Sequence, residues 1–179
     1  MENKILILLF IIAFIAQKQD CFAQQHAKIT LTKESDKSTK TYVFSEFPDA
    51  MYNCAKDEGE GQQRTQISIL KTLQNNDALS VYISMMPSVT GTFILNAHDE
   101  EMGKEMQGNL NIDFNDLGGP NIGAFPDQNG KTNGSITITS YPNVGGYLTG
   151  TFKGRLKDGS DKKTGFYDVS GEFKIKRTQ

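Results

Sequence analysis

Two stretches of this chain hold residue types that ligate metals. His98-Asp99-Glu100-Glu101 sets an imidazole beside three carboxylates, and Asp158-Gly159-Ser160-Asp161 has the oxygen-rich start of a calcium loop. Neither spacing completes a site. Consecutive side chains converge on one ion only when a turn folds them back. The second stretch lacks the remaining ligands and the closing Glu of a full calcium motif. His98, Asp99, Glu100, Asp158 and Asp161 are therefore the candidate ligands and calcium the candidate ion, while charged, solvated turns are the expectation. Asp113-Phe114-Asn115-Asp116 is oxygen-rich in the same incomplete way.

Nucleophilic chemistry finds less support. Cys54 lies in Asp49-Ala50-Met51-Tyr52-Asn53-Cys54-Ala55, a short apolar run readable as one helical turn or a buried loop. A catalytic thiol needs a base and a group to orient that base. His26 and His98 are the two imidazoles, and neither stands at a recognisable spacing from Cys54. A buried, inert thiol is the expectation, since free Cys is usually buried. The chain contains neither the G-x-S-x-G nor the H-E-x-x-H arrangement. Its 21 acids single out no pair for glycoside hydrolysis. Gly118-Gly119 leads into no helix that would cradle a phosphate. No catalytic residue is selected, and an enzyme is not expected.

The start of the chain reads as an address. Lys4 precedes an uninterrupted apolar run from Ile5 to Ala16, and Cys21-Phe22-Ala23 puts small residues three and one before a cut after Ala23. The run is short for a bilayer span, so a signal peptide over 1–23 and a single domain over 24–179 are expected. Lipidation at Cys21 would call for small residues where Lys18-Gln19-Asp20 stands. Cleavage removes two acids and two lysines, leaves the formal net charge of −2 unchanged and leaves Cys54 as the lone thiol. That near-neutral balance, without a basic run, excludes a nucleic-acid footprint. The expected location is the periplasm or the exterior, in association with the cell surface, with no transmembrane anchor after cleavage.

The elements that would position any site alternate with period two. In Tyr167 to Lys176 the residues Tyr167, Val169, Phe173 and Ile175 share one face, and Asp168, Ser170, Glu172 and Lys174 the other. The same reading gives strands over 28–33, 40–45, 64–71, 79–85, 90–97, 106–115, 135–141 and 146–156. About nine strands separated by turn signals predict an all-β chain, an antiparallel sandwich, with a lipocalin-like barrel as the alternative. Asp116 to Asn133 has no period and carries four glycines and two prolines. Loops of that length in a compact domain are often functional.

Gly134-Ser135-Ile136-Thr137-Ile138-Thr139, Gly150-Thr151-Phe152-Lys153-Gly154 and Val169-Ser170-Gly171-Glu172-Phe173 form a pattern that resembles the C-terminal half of uncharacterised exported proteins and lipoproteins of the Bacteroidota. The resemblance covers about a quarter of the chain. It implies a small exported β-sandwich and carries over no catalytic residue.

Three functions fit these observations. The first is a non-enzymatic binding or accessory module of the cell envelope, presenting Ile122, Phe125, Asp127 and Asn129 of the long loop to a surface protein or glycan. The second is a barrel that carries a small apolar ligand, with Phe93, Leu110, Phe152 and Phe173 lining its interior. The third is a structural subunit of a surface assembly, joined by strand addition at an exposed edge.

Overall fold

A computed structural model of the chain describes residues 24–45, 50–59, 62–73, 78–95, 106–114, 121–123, 133–159 and 165–179. The expected alternation places the core. Along β10 (Tyr147–Asp158) the residues Leu148, Phe152 and Leu156 are buried, while Thr151, Lys153 and Arg155 between them are exposed. Along β11 (Phe166–Lys176) the buried set is Val169, Phe173 and Ile175. Burying each such side chain stabilises the fold by about 1.5–3 kcal/mol.

Nine more strands precede these two: β1 (His26–Lys33), β2 (Thr39–Phe44), β3 (Ala50–Gly59), β4 (Gln62–Thr72), β5 (Ala78–Met86), β6 (Gly91–Leu95), β7 (Gln107–Phe114), β8 (Asn121–Gly123) and β9 (Asn133–Ser140). All belong to one sheet, in the order β2-β1-β11-β10-β9-β6-β7-β5-β4-β3. β8 pairs with both β10 and β7, so the path β10-β9-β6-β7-β8 returns to its start. The result is a closed, five-stranded mixed barrel. Its parallel pair is β6–β7, with Ile94 opposite Gln107 and Leu95 opposite Gly108. Six strands are bonded outside it. β11, β1 and β2 form a wing on the β10 side, and β5, β4 and β3 form one on the β7 side.

This corrects the nine-strand antiparallel sandwich. It also differs from a lipocalin-like barrel, which closes on eight antiparallel strands. The physical reason is that period two reports only which face of a strand is buried, and sandwiches and barrels bury the same face. Closure depends on β8, whose three residues are too few to show a period, and on a parallel pairing where a simple turn was expected after β6. A second correction concerns residues 50–55. The stretch read as a helical turn or loop belongs to β3, which pairs with β4 from Ala50 opposite Lys71 to Gly59 opposite Gln62.

Candidate functional site

The interior of the five-stranded ring is filled by its own side chains. Phe93, Leu95, Leu110, Ile112, Ile122 and Ile136 are each 0 % exposed. Eight strands give a barrel just wide enough for side chains to fill, so a ring of five has no lumen. Of the four residues expected to line a cavity, Phe93, Leu110 and Phe152 stand on the ring, and Phe173 stands on β11 beside it. All four serve as core.

The two wings curve toward each other and extend that core. Lys71 of β4 donates its ammonium to the Val43 carbonyl on β2 at 2.9 Å. The Tyr52 hydroxyl on β3 donates to the Ser45 carbonyl at 3.0 Å. Thr178, just past β11, donates its backbone N–H to the Cys54 carbonyl at 3.0 Å. Tyr42 of β2 meets Phe114 of β7 edge-to-face, with ring centroids 5.5 Å apart.

One end of this core gathers half-buried aromatic side chains. β1, β4, β7 and β10 finish there, and β5 and β11 begin. Phe114, Tyr167 and Leu73 lie at that end, half-buried and packed against the core, with Tyr42 reaching Phe114 from β2. Burial raises the Tyr42 phenol above its ordinary pKa. The far end is closed by polar contacts. Thr65 is 0 % exposed and donates to Ser88 Oγ at 2.9 Å, so the 2.5 Å contact with Tyr141 is donated by the tyrosine. The Arg177 guanidinium sits 5.1 Å from the centre of the Tyr141 ring and donates to the Pro142 carbonyl at 2.8 Å.

Of the binding and metal-ligand residues singled out in the sequence, Ile122 and Asp158 are described, and they are register partners between β8 and β10. Ile122 is on β8, fully buried, opposite Ile112 on one side and Asp158 on the other. It packs the barrel and presents nothing to a partner. Phe125, Asp127 and Asn129 lie outside the described residues, as do His98, Asp99, Glu100 and Asp161. Asp158 is buried at the end of β10, and its backbone N–H donates to the Gly165 carbonyl at 2.8 Å. Among the described residues no group of three or more His, Cys, Asp or Glu could hold a metal ion. Cys54 is a free thiol, 0 % exposed, and burial pushes its pKa up to about 11 against the pull of Arg177. That is the inert thiol expected. Among the described residues no helix is long and apolar enough to cross a membrane.

Sequence reasoning missed the Tyr42–Phe114 contact and the Thr65–Ser88–Tyr141 cluster. Both join residues far apart in the chain, and only the curvature of the sheet brings them together. It also missed two hollows on the outer face, of about 520 Å³ over Gly134 and Gly154 and about 260 Å³ over Gly171. No protein-family model, no curated protein and no solved structure matches the chain.

Proposed function

We propose that the chain is an exported, non-enzymatic carrier of a small apolar ligand, seated at the half-buried aromatic end rather than inside the five-stranded ring. The observation that supports this reading is the set of half-buried side chains Tyr42, Leu73, Phe114 and Tyr167 packed against one end of the core that the closed sheet and its wings share. An apolar molecule there gains burial against three rings without emptying a packed interior. Export rests on the apolar leader and its small-residue cut site, and places the carrier in the periplasm or outside the cell. A cell-surface protein or glycan would meet its polar outer faces.

The test is native mass spectrometry of the protein purified from its own envelope, paired with titration of a fluorescent apolar dye. Retained lipid-sized mass and saturable dye binding that weakens about tenfold in Phe114→Ala are expected. A bare chain with no saturable binding would overturn the reading.

A further inference from the structure

The β7–β8 pair carries a set of oxygen atoms on its outer face. Along β7 the buried Leu110 and Ile112 alternate with Asn109, Asn111 and Asp113, which take the opposite face. Along β8 the buried Ile122 stands between Asn121 and Gly123, which share that outer face. Register sets Asp113 directly opposite Asn121, and Asn111 opposite Gly123. Directly opposed residues on one face have β-carbons about 4.5–5.5 Å apart. Asn111, Asp113 and Asn121 are thus three corners of one square, with Asp113 between the two amides. The fourth corner, Gly123, brings no side chain into it.

The Oδ1 atoms of Asn111 and Asn121 are both buried, and among the described residues neither has a hydrogen-bond partner. Buried acceptors in folded proteins are met by a donor, a water or an ion. Two such acceptors flanking a carboxylate make an all-oxygen set, and hard cations take amide and carboxylate oxygens together. The fold also brings both oxygen-rich stretches of the sequence to this spot. Asp113 opens Asp113-Phe114-Asn115-Asp116, and Gly159 of Asp158-Gly159-Ser160-Asp161 donates its backbone N–H to the Asn121 carbonyl at 2.8 Å. Neither stretch completes a site alone, and β8 stands between them to contribute Asn121. Asp158 shares the face of its register partner Ile122 and is 7 % exposed, so it lies on the core side and outside the set. Lys157, opposite Gly123 on β10, is the next position along the outer face, and its ammonium works against a cation.

We propose that Asn111, Asp113 and Asn121 bind a hard divalent cation of the calcium class through the two amide oxygens and the carboxylate, with water completing its shell. The site does not rest on the apolar-ligand reading. One carboxylate and a neighbouring lysine make it weak, in the range of roughly 10⁻⁴–10⁻³ M typical of extracellular calcium modules.

The experiment adds calcium chloride to the chelator-treated full chain and follows backbone amide NMR and the thermal midpoint. Saturable shifts centred on Asn111, Asp113 and Asn121 are expected, with a raised midpoint. Asp113→Asn and Asn121→Ala should each weaken binding by about tenfold, their metal-free spectra reporting retained folding. Lys157→Gln leaves every ligand in place and should tighten binding, so it decides the matter where a ligand variant does not fold. No saturation up to about 10 mM calcium, shifts centred elsewhere, full-strength binding in Asp113→Asn, or no tightening in Lys157→Gln would each overturn the proposal.

Discussion

The ring of Phe152 lies over Gly171, its partner across the β10–β11 ladder, and two pairs along the ladder the ring of Phe173 lies over Gly150. The two rings stack with centroids 6.4 Å apart and planes 24° from parallel. Each glycine leaves the space its partner ring occupies. A β-carbon at Gly171 would press into Phe152 and stand 2.7 Å from the Lys28 carbonyl oxygen; one at Gly150 would stand 2.7 Å from Phe173 Cζ and 2.7 Å from the Thr137 carbonyl oxygen. Neither backbone obstacle can move without breaking a ladder. Gly171→Ala is therefore expected to cost about 1–3 kcal/mol or more through overpacking, read as a lower urea midpoint at unchanged slope. Gly145→Ala is the control. Its β-carbon meets nothing within 4 Å, and its φ of +90° alone opposes the change, for about 1–2 kcal/mol. Equal stability of Gly171→Ala and the parent protein would disprove the reciprocal packing.

Thr65 is the hub of the closed end. It gives its proton to Ser88 and takes one from Tyr141. Thr65→Val keeps the shape and strands both partners, so a loss of about 1–3 kcal/mol is expected. Thr65→Ser retains the hydroxyl and should recover most of it. Thermal unfolding of the two variants side by side decides this; similar losses for both would mean that the methyl packing, and not the hydrogen bonds, carries the effect.

What could be read in the chain and what could not divides along physical lines. β11 was legible because Val169, Phe173 and Ile175 alternate with Ser170, Glu172 and Lys174 over enough residues to define a face. β3 was not, because its buried positions are Ala50 and Cys54, small residues that give little periodic signal, while Met51 is exposed. β8 has three residues. The barrel itself was illegible for a further reason: ring closure is a statement about which strands pair, and alternation is silent on pairing. The same limit applies to the sites. Phe93, Leu110, Phe152 and Phe173 were recognisable as inward-facing, yet whether they bound a cavity or a packed core depends on the number of strands around them. Asn121 comes to stand opposite Asp113 only because β8 pairs with β7, a register no local pattern reveals.

Cys54 gives a prediction on the alkaline side. Its thiol is held neutral by burial, with the pKa raised from 9.0 to about 11. Between those values the unfolded chain releases a proton that the folded chain keeps, so stability falls as pH rises from about 9 toward about 11. Cys54→Ala should remove that part of the slope while costing some packing. Consistent with burial, a thiol reagent near neutral pH should label the folded protein at the rate of global unfolding. Rapid labelling of folded protein would contradict the inert, buried thiol.

Glu34 and Arg155 give the corresponding prediction on the acid side. Arg155 donates Nη2–H to Glu34 Oε2 at 2.8 Å and Nε–H to the other oxygen, and its guanidinium lies 3.7 Å from the centre of the Phe166 ring. The hydrogen bond from Arg155 holds the Glu34 carboxyl below its ordinary 4.5. A carboxyl depressed in the folded state stabilises it above the unfolded value, and that contribution is lost as pH falls through the folded one. Both groups are solvent-facing, so the effect is small and salt-sensitive. Arg155→Met keeps an apolar stem over Phe166 and removes the fork. Its urea midpoint should fall less steeply than that of the parent protein as pH drops below about 4.5, with a residual slope from Asp36, which is held low by hydrogen bonds from Ser38. Arg155→Lys should behave more like the methionine variant than like arginine, because an ammonium reproduces neither the two-pronged bond nor the ring stacking. Identical acid slopes in the parent and Arg155→Met would show that the pair contributes nothing to folding stability.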